Sequence, residues 1–442
     1  MGEARKTTKL SVLKGRARKR QLIVKNGQTG GSEVHGIVPG TWERIMKLRE
    51  HTPMDYLNMR NWQAAWIFRP IPLLFALLWL SACAGLPVRG MVGGQSIETR
   101  VDSEAARYYL GSYLAGERSD STLDERIDRV YQSANGSLPD RNELKHLSDD
   151  FSVDFAALYF ADQIARIPVN RRFRNAFEQA YDYALRDFPK GRVKLPADYE
   201  VLVVPTYLYK RLFSVGADMA VPRAALKEAG LICHFVETQD DGAVEVNADL
   251  VAAAIRARAQ SGRRLIILSA SKSGPEVALA LTKLRPAETR HVAAWINAMG
   301  ALQGTPLVDE RLFPDLEIIM GKVDAAGTES MTTVRSRQRF DTFRIPEHVF
   351  VVNYFGVPVT GSVSFFARAS FFPLRKYGPN DGTVLLPDMI FPGGVTLTEL
   401  GSDHFMRGRR LDVVTVALAL TVIRWLEHPD GELVRGPGSQ IP

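Results

Sequence analysis

From Tyr199 onward the sequence repeats a pattern that few architectures can satisfy: short, apolar, β-branched runs separated by amphipathic stretches of helical length. Glu200–Val204, Leu231–Val236, Arg264–Leu268, Val292–Ile296, His348–Asn353 and Gly394–Glu399 read as strands. Ala220–Ala229, Asn247–Gln260, Pro275–Leu284 and Leu411–Glu427 read as helices. A strand with one wet face alternates apolar and polar residues. The runs up to Val292–Ile296 are apolar almost throughout, so both of their faces are covered. The pattern predicts an α/β domain over residues 197–430, built as three layers with a mostly parallel sheet and helices on both faces.

Upstream, residues 103–196 read as a helical region. Val153, Ala157, Phe160, Ile164 and Ile167 recur at spacings of four and three, as do Phe173, Phe177, Ala180, Tyr181, Ala184, Leu185 and Phe188, and Pro168 separates the two helices. Such stripes are packing faces, and no chemistry is assigned to them. Residues 83–102 read as a Gly-containing tether. A stretch at about 300–346, between two strands, is where a cap over a site usually sits. It carries Arg335, Arg337, Arg339 and Arg344. A solvated helix face accounts for these arginines, with an anionic substrate group as the alternative.

The net charge of +7 comes from one end of the chain. Residues 1–70 hold 14 Lys/Arg against 5 Asp/Glu, which leaves 42 against 44 in the remainder. The body therefore offers no basic field for a phosphate backbone, and nucleic acid is excluded as its partner. Its His and Cys residues show no ligand spacing, and no metal or organic cofactor is implied.

Chemistry concentrates in Arg264–Leu281, where a buried strand runs into Ser269-Ala270-Ser271-Lys272-Ser273-Gly274 and then into a helix with Pro275 near its first turn. This resembles the nucleophile elbow of the α/β-hydrolase family, in which the residues two before and two after the nucleophile must be small. Among the three serines only Ser271 meets that condition on both sides, because Ser269 has Ile267 behind it and Ser273 has Pro275 ahead. Here serine replaces the family's usual glycine at both flanks. The family's order of nucleophile, acid and base is matched by Asn380-Asp381-Gly382 and by Asp403-His404-Phe405. The resemblance implies Ser271, Asp381 and His404 as catalytic residues, with Asp403 and Asp388 as alternative acids. Asp403 adjoins the base and is expected to brace its loop. Phe365, Phe366, Phe371 and Phe372, near the acid, read as packing, with an acyl pocket as the alternative.

The same resemblance implies an oxyanion hole of two backbone N–H groups. One belongs to Lys272, and the other to the loop after Glu200–Val204, where Pro205 has no N–H to give. Tyr207 is the expected donor and Thr206 the reserve. The implied activity is lipase-like or esterase-like cleavage of a small-molecule or lipid ester. A hydrolase fold without catalysis, acting as an envelope binding or assembly factor, is the reading from another class.

A last feature concerns address. Ile71–Leu80 is an uncharged apolar stretch ending in Leu80-Ser81-Ala82-Cys83, which resembles a bacterial lipoprotein signal with its lipidated cysteine. On that reading residues 59–82 are the signal peptide starting at Met59, and residues 1–58 are an upstream extension or disordered lead. Cys83 carries the lipid that holds the protein to the bacterial cell envelope, and Ala84 rather than Asp after it implies sorting to the periplasmic side of the outer membrane; residues 431–442 form a tail. Cys233 then has no disulfide partner and reads as a buried, inert thiol.

Overall fold

This computed structural model describes residues 85–134, 136–310 and 324–428. The expected leader, signal peptide and lipidation site at Cys83 lie outside the described residues, as do residues 311–323 of the expected cap and the tail.

The described chain does not open with a tether. Strands β1 (Leu86–Val92) and β2 (Gln95–Val101) form an antiparallel hairpin, turned by Gly93 and Gly94 at φ 56° and 86°. Burial alternates residue by residue along both strands. That period of two around a Gly-Gly pair is the hairpin signal missed by reading the glycines as linker. Gln95 fixes the hairpin to the sheet: its amide donates to the Thr398 carbonyl at 3.1 Å and accepts the Leu400 N–H at 2.8 Å.

Five helices follow: α1 (Glu104–Gly111), α2 (Ser121–Ser133), α3 (Arg141–Asp150), α4 (Val153–Arg166) and α5 (Pro168–Asp187). Pro168 occupies the first turn of α5, where its missing N–H costs nothing. The helical region is not set apart from the α/β body, as its expected boundary at 196 implied. Phe173, Phe177, Ala180 and Ala184 of α5 lie in one core cluster with Tyr354, Leu397, Val413 and Ala417, so α5 is a cover helix of the sheet. Helix α4 braces a loop at the sheet's carboxyl edge. Buried Asp154 of α4 accepts the N–H groups of Asp102 and Thr360 at 2.8 and 3.1 Å.

The sheet has six strands: β3 (Tyr199–Val204), β4 (Ile232–Phe235), β5 (Arg264–Ala270), β6 (Val292–Ala298), β7 (Phe350–Val357) and β8 (Val395–Leu400). All five pairings are parallel, in the order β4-β3-β5-β6-β7-β8. Helices α6 (Ala220–Glu228) and α11 (Leu411–Glu427) cover one face together with α5; α7 (Val244–Arg258) and α8 (Ser273–Lys283) cover the other. Two shorter helices, α9 (Thr333–Phe340) and α10 (Phe365–Leu374), belong to the segments after β6 and β7. This is the expected three-layer α/β architecture, consistent with an α/β-hydrolase-like fold.

Topology fixes where a site can lie. From β3 the chain steps outward to β4, then returns across β3 to β5 and builds β6, β7 and β8 on the other side. A crevice opens at such a switch point, beyond the carboxyl ends of the two strands between which the order reverses. Those strands are β3 and β5, whose final pairing joins Val204 to Ser269. The loops leaving them carry Tyr207 and Ser271.

Three of the four arginines after β6 are spent on the fold, whereas the buried Nε of Arg337 has no hydrogen-bond partner among the described residues. Arg335 pairs with Glu329 at 3.2 Å in the open, as a solvated face would, and Arg344 donates to the Asp341 and Phe343 carbonyls. Arg339 departs from that expectation: it is buried, pairs with Glu245 at 2.9 Å and donates to the Ser330 carbonyl at 2.7 Å.

Candidate active site

At the end of β5 the chain reverses at Ser271, whose φ of 55° lies in the left-handed region. For a residue with a Cβ this costs on the order of 1–3 kcal/mol and persists only where surroundings enforce it. Here they do. The Ser271 N–H donates to the Ala298 carbonyl, and its own carbonyl accepts from Gly274 and Ala301, all at 3.0 Å. The serines that replace glycine at the flanks are also engaged. Ser269 accepts the Trp295 indole N–H at 2.8 Å. Ser273 accepts the Ala270 N–H at 2.8 Å and reaches the Val204 carbonyl at 3.0 Å. Each hydroxyl supplies a bond that glycine lacks. The close approach falls to Gly274 instead, where a Cβ would stand 2.8 Å from both the Asn297 side-chain oxygen and Gly300 Cα.

His404 reaches this turn from the loop after β8. Its Nε2 stands 3.1 Å from Ser271 Oγ, and its Nδ1 stands 2.6 Å from Asp381 Oδ2. The other carboxylate oxygen of Asp381, which is fully buried, accepts the N–H groups of Thr383 and Val384 at 2.9 and 2.8 Å. Turn, imidazole and carboxylate thus form one hydrogen-bonded chain from three loops at the sheet's carboxyl edge. Burial disfavours the imidazolium, but the Asp381 carboxylate outweighs it, so the His404 pKa is raised above its usual 6.5.

The two alternative acids have other partners. Asp403 accepts the Ser364 N–H at 2.6 Å and the Phe405 N–H at 3.0 Å, bracing the loop that carries His404. Asp388 is buried in an ion pair with Arg141 of α3.

Of the expected N–H donors, Thr206 drops out, because it donates to the Ala217 carbonyl at 3.1 Å. The N–H groups of Lys272 and Tyr207 have no acceptor among the described residues, and both residues line the same cavity as Ser271 and His404. Sequence reasoning missed what holds them. Lys272 and Glu276, one helical turn apart, form a buried ion pair, and Glu276 also accepts from Asn247 at 2.8 Å. The Lys272 ammonium lies 5.7 Å from the Tyr207 ring centre, and the Tyr207 hydroxyl is 2.8 Å from that of Thr328 in the segment after β6. The spacing of Lys272 and Glu276 was the available signal.

The cavity measures about 1140 Å³. Thr305, Asp309 and Thr328 from the segment after β6 line it. Phe366 lies on its wall, whereas Phe371 is packed in a small core cluster. Half-buried Cys233, on the edge strand β4, has its thiol pushed up to about 11 by burial. No cluster among the described residues could hold a metal ion, and none of their helices is long and apolar enough to cross a membrane.

No family model matches the chain, and no curated protein matches it. Solved structures do. A metagenomic carboxyl esterase is 20% identical with a TM-score of 0.44, over 54% of this chain and 78% of its own. The mature lipase BlEst2 of Bacillus licheniformis is 22% identical with a TM-score of 0.41, over 52% and 92%. Est1E of Butyrivibrio proteoclasticus is 15% identical with a TM-score of 0.32, over 53% and 89%. None of the three decides what this chain does.

Proposed function

We propose that the chain is a serine hydrolase of carboxylic esters, with Ser271 as nucleophile, His404 as base and Asp381 as the acid that orients it. The observation that carries this reading is the continuous hydrogen-bonded path from Ser271 Oγ through the imidazole to a buried carboxylate, opening on a cavity. A serine hydroxyl is a weak nucleophile, and this arrangement is what activates one.

In the proposed reaction Ser271 Oγ attacks the ester carbonyl carbon as its proton passes to His404 Nε2. The Lys272 and Tyr207 N–H groups receive the negative oxygen, an interaction worth about 3–4 kcal/mol per donor. The carbon–oxygen bond to the alcohol then breaks, and His404 returns the proton to the leaving oxygen. Water, deprotonated by His404, attacks the acyl-enzyme and releases the carboxylic acid, restoring the Ser271 hydroxyl.

The proposal extends to place. The motif at Leu80–Cys83 supports a lipid anchor at Cys83 and residence at the bacterial cell envelope. Labelled palmitate incorporated by the native chain and lost in Cys83→Ser is the expected result; equal labelling of both would remove the anchor from the account.

The catalytic reading is tested with a short p-nitrophenyl ester. The native protein is expected to turn it over, and Ser271→Ala to lose about 10⁶-fold in kcat. A Ser271→Ala protein that hydrolyses the ester as fast as the native one removes Ser271 from the mechanism.

A further inference from the structure

The cavity extends well beyond the space an ester bond needs. It enters the layer between the sheet and helices α6 and α11, where Ile266, Leu268, Ile296, Leu226, Leu418 and Ala419 line it. Ser271 and Ile266 are five residues apart along β5, so the apolar part runs down the sheet face for about 16 Å at ~3.3 Å per residue. Helix α11 gives an independent measure. Leu411 and Ala419 both face the cavity, and eight residues of helix span about 12 Å at ~1.5 Å per residue. Neighbouring Val201, paired in register with Ile266, lines the same depth.

The two ends differ in chemistry. Thr305, Thr328, Ser370 and Thr383 of the lining come from segments at the carboxyl edge, whereas β3, β5 and β6 contribute aliphatic residues along the sheet face; the two hydroxyls deeper in the layer, on Tyr354 of β7 and Thr415 of α11, bond Glu399 and the Leu411 carbonyl. At roughly 30 Å³ per water-sized group, the volume of about 1140 Å³ holds more than thirty non-hydrogen atoms. A short acyl group would leave most of that space to water against apolar walls, which is unfavourable. Exposed rings stand nearby: Phe366 is half-exposed on the cavity wall, Phe365 beside it is exposed, and so is Phe213, between the lining residues Leu212 and Val215.

We propose that the acyl group is a long hydrocarbon chain, which runs from Ser271 down the sheet face between β3, β5 and β6 and helices α6 and α11 while the polar alcohol portion stays under the cap. The substrate class is amphiphilic long-chain acyl esters. This inference rests on the serine-hydrolase reading and adds to it the length and path of the chain.

The test is kcat/KM on p-nitrophenyl acetate, butyrate, octanoate, dodecanoate and palmitate, measured below the concentrations at which the longer esters aggregate. The native protein is expected to favour dodecanoate or palmitate over acetate by about tenfold or more, since even one methylene in an apolar pocket is worth that much. Leu226→Trp, which fills the far part of the channel, is expected to move the optimum to shorter chains. Leu418→Phe, from the opposite helix, is expected to do the same, so the result does not depend on one variant folding. Fast hydrolysis of acetate and butyrate with none of the long esters overturns the channel and leaves the hydrolase reading standing. Failure on every ester, with no reaction of Ser271 toward a short alkyl fluorophosphonate, overturns both.

Discussion

Asp381 and His404 are joined twice. The His404 imidazole bonds the Asp381 carboxylate at 2.6 Å, and the His404 backbone N–H bonds the Asp381 carbonyl at 2.8 Å. The side-chain bond sets which ring nitrogen faces Ser271. The backbone bond holds the two loops at a fixed separation whatever the charge on the ring. Removing the carboxylate charge should therefore alter the chemistry without dispersing the site.

Asp381→Asn is expected to lower kcat by about 10⁴-fold, because an amide no longer selects the productive tautomer. It should also move the acid limb of the pH profile. The base acts only when neutral, so activity falls as pH drops through the His404 pKa, which lies above the ordinary 6.5. Without the Asp381 carboxylate, burial is opposed only by the weaker pull of the Asp403 charge, and that pKa falls. The acid limb of kcat/KM in the variant should therefore lie at lower pH than in the native protein, and a limb that stays in place would assign the titration to another group.

A second expectation concerns the buried pair behind the nucleophile. Lys272 and Glu276 are both buried, and burial raises the Glu276 pKa. Lys272→Met leaves a carboxylate without its partner and should cost about 3–5 kcal/mol in denaturant unfolding. Joining it to Glu276→Leu should recover most of that loss, since a buried ion pair replaced by apolar groups is often neutral. Additive losses in the double variant would show that the two side chains act separately.

Ser273 is expected to be structural. Ser273→Ala removes the hydroxyl's bonds to the Ala270 N–H and the Val204 carbonyl, at about 1 kcal/mol each. Thermal unfolding should show the loss, and Ser273→Gly should not relieve it. A Ser273→Ala protein as stable as the native one would leave the choice of serine over glycine here unexplained.

What the sequence made legible follows from which interactions are local. Apolar strands and helix stripes repeat within a few residues, so the order of β3 to β8 could be read directly. Ser271 stood out because the turn restricts its immediate neighbours, and Asp381 and His404 because each lies in a short motif in a fixed order. Partners far apart in sequence left no such trace. Asp388 meets Arg141 across 247 positions, and Gln95 meets Thr398 across 303. The hairpin was missed for another reason: its glycines serve a turn and a linker equally well, and only the alternation on either side separates the two.

Those long-range contacts give a prediction of their own. Arg141→Ala strands the buried Asp388 carboxylate in the segment that follows the acid loop. A loss of about 3 kcal/mol or more is expected in unfolding experiments. Replacing both residues, as Arg141→Met with Asp388→Leu, should restore part of it. No change on Arg141→Ala would mean that α3 does not brace that segment.

The most direct measurement of the central claim is the mass of the intact native protein after exposure to an alkyl fluorophosphonate, followed by peptide mapping. The account predicts a single adduct on the peptide containing Ser271, formed faster as pH rises through the His404 titration and absent from Ser271→Ala. Folded protein that acquires no adduct, or acquires it on a different serine, contradicts the account.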